Sequence, residues 1–259
     1  MTEPDMGALK AFAEELTRQA MQTVLAQQAN AQTEIKPDGS PVTTVDRAVE
    51  QVLRASIARH YPDHGILGEE FGPHNLEADW VWVLDPIDGT RHFVSGLPTF
   101  GVLIALCHRQ SPLLGVICQP QIGDVYLGIV GQGSWLNGKA LQVDPVGDLS
   151  GAIANLSDPE TYDETTRARV EALSRRTRWN VYDGGCLGYG ALAAGRLHLC
   201  VSGTNLDSYD LCALVPVVEG AGGLITDWQG KALGLASSGA IAASASPALH
   251  EQVLTALNG

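Results

Sequence analysis

The chain has 259 residues, enough for one large domain or two lobes around a shared core, and its 45% hydrophobic content excludes bulk disorder. With 29 Asp and Glu against 16 Lys and Arg, the formal net charge is −13. An acidic surface of this kind argues against nucleic acid and anionic membrane as partners. A small phosphorylated partner stays open, because bound divalent cations reverse the sign of a local site. The five cysteines Cys107, Cys118, Cys186, Cys200 and Cys212 lie mostly in apolar runs and form no C-x-x-C pair. Buried reduced thiols are expected, not a disulfide frame or a zinc site. The opening Met1-Thr2-Glu3-Pro4-Asp5 lacks the basic-then-apolar order of a secretion signal, and the longest apolar stretch, residues 100–107, is too short to span a bilayer. A cytoplasmic protein with no membrane partner is expected.

Residues 6–28 repeat Leu9, Phe12, Ala13, Leu16, Ala20 and Val24 at three- and four-residue steps, which predicts a helix. Residues 36–41 read as a turn, and residues 43–61 as a second helix with Ala48, Val52, Leu53, Ile57 and Ala58 on its apolar stripe. Val81-Trp82-Val83-Leu84 predicts a buried strand that stops at Asp85-Pro86. Residues 100–108, 113–119 and 125–130 follow as strands, with a hairpin turn at Asn137-Gly138. Beyond them, residues 153–156, 197–201, 225–228 and 239–245 read as strands. Residues 164–176, 184–194, 209–221 and 247–257 read as helices, the second capped by Gly195. Such a mixture fits a layered α/β or α+β protein. A soft boundary near residues 144–151 divides a single domain into lobes of residues 1–148 and 149–259.

The candidate chemistry is carried by acids. Asp85 closes an apolar strand, Pro86 fixes the backbone, and Asp88 follows three residues on. A tight turn there brings both carboxylates into one small volume. Gly89 allows backbone close to a ligand, and Thr90 offers a hydroxyl and an amide at a helix start. Carboxylates forced together need a cation, and hard oxygen ligands of this type suit Mg²⁺. Each piece has a plainer reading by itself. Asp85–Thr90 could be a capped surface turn, Glu69-Glu70 a solvated pair, Asp46 a helix-start carboxylate and Asp210 a helix N-cap. Their joint occurrence favours a site. His92 and His108 read as structural or surface residues, and Trp80 and Trp82 as core.

The segments Lys36, Asp38-Gly39-Ser40-Pro41-Val42-Thr43 and Asp46, then Gly68-Glu69-Glu70, then Trp82-Val83-Leu84-Asp85-Pro86-Ile87-Asp88-Gly89-Thr90, then Tyr209-Asp210 and Glu219-Gly220-Ala221-Gly222-Gly223, resemble the inositol monophosphatase family over nearly the whole chain. Residues 93–101 and 214–228 resemble its histidinol-phosphate phosphatase branch. The resemblance implies a five-layered αβαβα sandwich, a homodimer, and a phosphate monoester hydrolase with two or three Mg²⁺ per subunit. It implies that Glu69, Asp85 and the Ile87 carbonyl hold one ion, that Asp85, Asp88 and Asp210 hold a second, and that Asp46 lies beside a weaker third. Gly89 and Thr90 would bind phosphate through their amides, and Glu69 and Thr90 would orient the attacking water. Asp88, Gly185, Cys186 and Asp210 would face the substrate. The paired ions of such a site activate water and stabilise the leaving oxygen.

The branch implies histidinol phosphate as substrate, in histidine biosynthesis. An inositol- or sugar-phosphate phosphatase and a catalytically silent ligand-binding regulator are the alternatives. The substrate side departs from the branch at two places. An Asp is usual directly before the Cys, where this chain has Gly185, and a Glu is usual shortly before Tyr-Asp, where residues 201–208 have none. Asp183 and Asp207 are the acids that could replace them.

Overall fold

A computed structural model describes residues 5–259. The first periodic segment folds as helix α1 (Met6–Gln27), N-capped by Asp5, with Leu9, Leu16, Ala20 and Val24 fully buried. Strands β1 (Thr33–Ile35) and β2 (Pro41–Thr43) then form an antiparallel hairpin where a turn alone was expected. The two strands are too short to show an alternating pattern. Helix α2 (Thr44–His60) opens on a capping box, in which Thr43 and Asp46 satisfy each other's backbone amides.

The first sheet contains β3 (Gly65–Gly68), β4 (Gly72–His74), β5 (Trp80–Asp88), β6 (Gly101–His108), β7 (Ser111–Gln119), β8 (Asp124–Ile129), β9 (Gly133–Leu136) and β10 (Lys139–Ala140). Helix α3 (Thr90–Val94) lies between β5 and β6. The strand order is β10-β9-β8-β7-β6-β5-β3-β4, antiparallel throughout except for the β3–β5 pair. β5 does not stop at Leu84. It runs on to Asp88 through a register shift between Asp85 and Asp88. Pro86 has no N–H to give the ladder, so the strand bulges there and turns its carboxylates off the regular pleat.

The second half comprises β11 (Ile153–Leu156), α4 (Glu164–Ser174), β12 (Trp179–Tyr182), α5 (Gly185–Ala193), β13 (Leu199–Ser202), α6 (Ser208–Leu211), α7 (Leu214–Gly220), β14 (Leu224–Asp227), β15 (Ile241–Ser244) and α8 (Pro247–Asn258). The strands order as β12-β11-β13-β15-β14, with β11 parallel to both neighbours. β12 gave no sequence signal because it is an edge strand with Trp179, Val181 and Tyr182 exposed. The single helix expected over residues 209–221 is two helices. Pro216 cannot donate back to the Cys212 carbonyl, and the helix breaks between α6 and α7.

Alternating strand faces sort these elements into layers. Trp82, Leu84, Val102, Ile104, Leu106 and Val116 face α1 and α2. Val81, Val83, Leu103 and Ile117 face Tyr189, Leu211, Val217 and Val218 of α5–α7, and Cys200, Ile241 and Ala243 of the second sheet close that core from the far side. Leu156, Leu199, Val201 and Ala242 face α4 and α8. The order is therefore αβαβα, as the resemblance implies. In the middle layer α7 presses against β7 and β8. A Cβ on Gly115 or Gly128 would collide with the carbonyls of Ala213 or Pro216, so only glycine admits the helix there. The close approach draws the segment after Asp210 onto the sheet that carries Asp85. All five cysteines are free and buried. Among the described residues no helix is long and apolar enough to cross a membrane.

Candidate metal centre and active-site cleft

Asp85 is 1% exposed, and its Oδ1 accepts the Ile87 amide at 3.0 Å, which closes the turn around Pro86. Asp88, at the end of the same strand, accepts the Cys186 amide through Oδ2 at 3.0 Å and so ties β5 to α5. Asp210 is not a helix N-cap, which was its plainer reading. Asp207 caps α6, and Asp210 is the reciprocal member of the capping box, its Oδ2 accepting the Asp207 amide at 2.7 Å. One oxygen each of Asp85, Asp88 and Asp210 lies within 4.8 Å of the others.

Burial drives the carboxyls of Asp85 and Asp210 well above the usual carboxylate range. Glu69, Asp88 and Asp210 add to the effect on Asp85, and Asp88 adds to that on Asp210. One buried and two half-buried carboxylates so close repel one another unless a cation neutralises them. The donor set is all oxygen and compact, which fits Mg²⁺.

Glu69 stands at the end of β3, its amide bonded to the Leu84 carbonyl at 3.2 Å. Lys36, at the exit of β1, reaches across with Nζ at 2.9 Å from Glu69 Oε1 and 2.7 Å from Glu70 Oε1. Burial raises both carboxyls, and the Lys36 hydrogen bonds pull against it. Burial alone would lower the Lys36 ammonium, but its bonds to Glu70 and Glu69 outweigh burial and push it up. Lys36 thus supplies positive charge at one flank of the acid cluster.

Glu50, which the sequence reading did not single out, holds this loop from below. It is fully buried in α2 and accepts the Glu70 amide at 2.7 Å, the Phe71 amide at 3.2 Å and Arg54 Nε at 2.6 Å. Arg54 also bonds the Gly72 carbonyl. Gly68 passes so close that a side chain there would strike the Glu50 carboxylate. The available signal was Glu50 beside Val49 and Leu53 on the buried side of α2, with Arg54 one turn on.

Gly89 takes a left-handed backbone (φ 84°) and opens α3. The Thr90 hydroxyl lies 3.0 Å from the Ile87 carbonyl and 3.3 Å from Asp46 Oδ1. Asp46 is fully buried. Burial raises its carboxyl, and the Thr43 hydroxyl and amide restrain the rise. Asp46 therefore adjoins Thr90.

A cleft of about 510 Å³ is lined by Glu69, Gly89, Thr90, Asp158, Glu160 and Asp183. A second pocket of about 150 Å³ is lined by Asp88, Gly185, Cys186, Tyr189, Ser202 and Asp210. Gly89, His92 and Asp183 border both. His92 is thus a cleft residue, against expectation, while His108 stacks on Trp80 with ring centroids 4.2 Å apart. Burial and the neighbouring Asp88 raise the Cys186 thiol well above its ordinary value, which keeps it neutral.

The whole chain, residues 1–259, matches the model of the inositol monophosphatase family. A chloroplastic bifunctional phosphatase of Arabidopsis thaliana is 39% identical over 231 residues, covering 86% of this chain and 66% of that protein, so the chain spans just under two thirds of that relative. A histidinol-phosphatase of Chlorobaculum parvum is 36% identical over 202 residues, 76% of each chain. An inositol monophosphatase from Zymomonas mobilis has a TM-score of 0.89 at 33% identity, over 99% of this chain and 100% of that one. Fold and sequence agree over the full length, and the chain belongs to the inositol monophosphatase family, whose members are phosphoric monoester hydrolases.

Proposed function

We propose that this protein is a Mg²⁺-dependent histidinol-phosphate phosphatase, releasing phosphate and histidinol in histidine biosynthesis. The carrying observation is the Asp85–Asp88–Asp210 cluster beside a cleft bordered by Thr90 and rimmed by Asp158, Glu160 and Asp183. The cluster suits a metal-assisted phosphatase, and the rim, three acids against the guanidinium of Arg91, suits a substrate whose alcohol end is cationic. The similarity to a histidinol-phosphatase supports the same substrate.

In this reading Glu69, Asp85 and the Ile87 carbonyl would hold one Mg²⁺, Asp85, Asp88 and Asp210 would hold another, and Asp46 would serve a third. Bound Mg²⁺ supplies Lewis acidity to the attacking water and the leaving oxygen. The chain's own groups do the positioning. Gly89 and Thr90 border the cleft and offer backbone amides to the phosphoryl oxygens. The Thr90 hydroxyl gives its proton toward Ile87 or Asp46, which leaves its lone pairs to accept from the attacking water. Glu69 is a second acceptor for that water. Asp88, Gly185, Cys186 and Asp210 line the pocket for the alcohol end. The working form is taken to be a homodimer, and a light-scattering mass near twice 27.4 kDa checks it.

One observation favours an inositol- or sugar-phosphate phosphatase instead: neither Gly185 nor residues 201–206 put an acid into the alcohol pocket. The test is phosphate release with Mg²⁺ from L-histidinol phosphate, inositol 1-phosphate, fructose 1,6-bisphosphate and an adenosine bisphosphate. Preference for histidinol phosphate is expected. Preference for another ester supports the wider reading, and no release from any supports the silent regulator.

A further inference from the structure

An acid at either place where the branch usually has one would be poorly accommodated in this fold. Gly185 has φ 49°, and a Cβ there would lie 3.2 Å from Asp88 Oδ2. A carboxylate would be strained and would face another carboxylate. Within residues 201–208, where no Glu occurs, Gly203 is buried and a side chain on it would run into Thr161. This chain has no acid at position 185 or 203, so a cationic substrate would find its partner elsewhere.

Asp207 is already committed. It caps α6 and accepts the Tyr209 hydroxyl at 3.1 Å, and it borders neither cavity. Asp183 borders both. It also holds a left-handed backbone, φ 57°, unusual for a residue with a side chain, with its amide fixed to the Leu156 carbonyl at 2.8 Å. Asp183 Oδ2 lies 2.8 Å from His92 Nε2, and His92 Nδ1 lies 2.8 Å from the Thr99 carbonyl. Both ring nitrogens therefore face acceptors. His92 spans the two halves of the chain and fixes one carboxylate oxygen of Asp183. Among the described residues nothing donates to Oδ1. Asp158 and Glu160 line the same cleft and, with Arg91 the opposing charge there, leave the surroundings of the His92–Asp183 pair net negative.

We infer that Asp183, held in place by His92, reads the cationic group of the substrate through its free Oδ1. Asp183 is the specificity residue, and His92 is a positioning residue that acts through it. The class recognised is the phosphate monoester of an amino alcohol. The inference rests on the cationic-substrate reading above.

The test compares full-length wild type, Asp183→Asn, Asp183→Gly and His92→Gln, measuring KM and kcat with Mg²⁺ for L-histidinol phosphate and for glycerol 2-phosphate, whose alcohol end carries no charge. Glycine suits the left-handed backbone at 183, so Asp183→Gly keeps the fold while removing the carboxylate. In both Asp183 variants the selectivity for histidinol phosphate over glycerol phosphate should fall about tenfold or more, through KM for the cationic ester. His92→Gln should move the same ratio the same way, by less. A ratio unchanged in both Asp183 variants overturns the inference, as does an equal loss on both esters, which marks a clasp that only holds the fold. If wild type itself shows no preference for the cationic ester, the substrate reading falls and takes this inference with it.

Discussion

Asp88 shows how much one carboxylate is asked to do. It contributes to the acid cluster and receives the Cys186 amide. Asp88→Asn keeps the shape and an acceptor oxygen for that amide but removes a charge. Phosphate release with Mg²⁺ should drop by at least about 100-fold. The metal-free thermal midpoint should hold or rise, since one of three repelling acids is gone. Retained turnover would remove Asp88 from the metal assignment. Asp85 and Asp88 were legible in the sequence because strand end, proline, glycine and acids fall within six residues. Asp210 stood out beside its helix, but its place in this cluster was legible only through the resemblance. A capping box has two acids three apart, and nothing local says which is the cap. His92 was illegible, since its partners Thr99 and Asp183 come together only in the folded chain.

The elements around the site were read with uneven success, for reasons of burial. α1, α2 and the central strands carry strong apolar patterns, and each lies within a few residues of its expected span. β12 exposes its apolar side chains, and the β1–β2 hairpin is too brief for any period to show. The loop after β3 depends on α2 through Glu50. Glu50→Gln removes the charge that pairs with Arg54 and loosens the grip on the amides of Glu70 and Phe71. Mg²⁺ affinity, measured by calorimetric titration of the metal-free protein, should weaken about 10- to 100-fold. An unchanged affinity would mean that Glu69 is placed without Glu50. α7 makes a different demand. Gly128→Val should push it off β8 and cost about 1–3 kcal/mol or more in urea unfolding, because backbone and not a flexible side chain stands in the way.

The five-layer molecule gathers acids from both halves, and its stability should register that. Asp85, Asp210 and Glu69 keep their protons to higher pH when folded than when unfolded. Between the ordinary carboxylate range, about pH 4, and their raised values, the folded state binds more protons, so stability falls as pH rises. In chelator the thermal midpoint should decline from about pH 5 to about pH 8. Added Mg²⁺ should raise the midpoint more at the upper end, because metal then displaces fewer protons. The slope in chelator should be shallower for Asp88→Asn. A flat wild-type profile would mean the cluster is not strained by its own charge. The layer order itself was not derivable from periodicity, which assigns faces but not the partner each face meets. The resemblance supplied it.

Asp85 and Asp88 leave β5 early in the chain, but the third member of their cluster is Asp210, on the far side of a second sheet's first three strands. During synthesis the ribosome therefore delivers two crowded acids long before their companion. A chain halted anywhere before residue 210 has an incomplete cluster, however well its first sheet has formed. Completion of the cluster thus reports that the bulk of the polypeptide has been made, and a prematurely ended product cannot assemble this site.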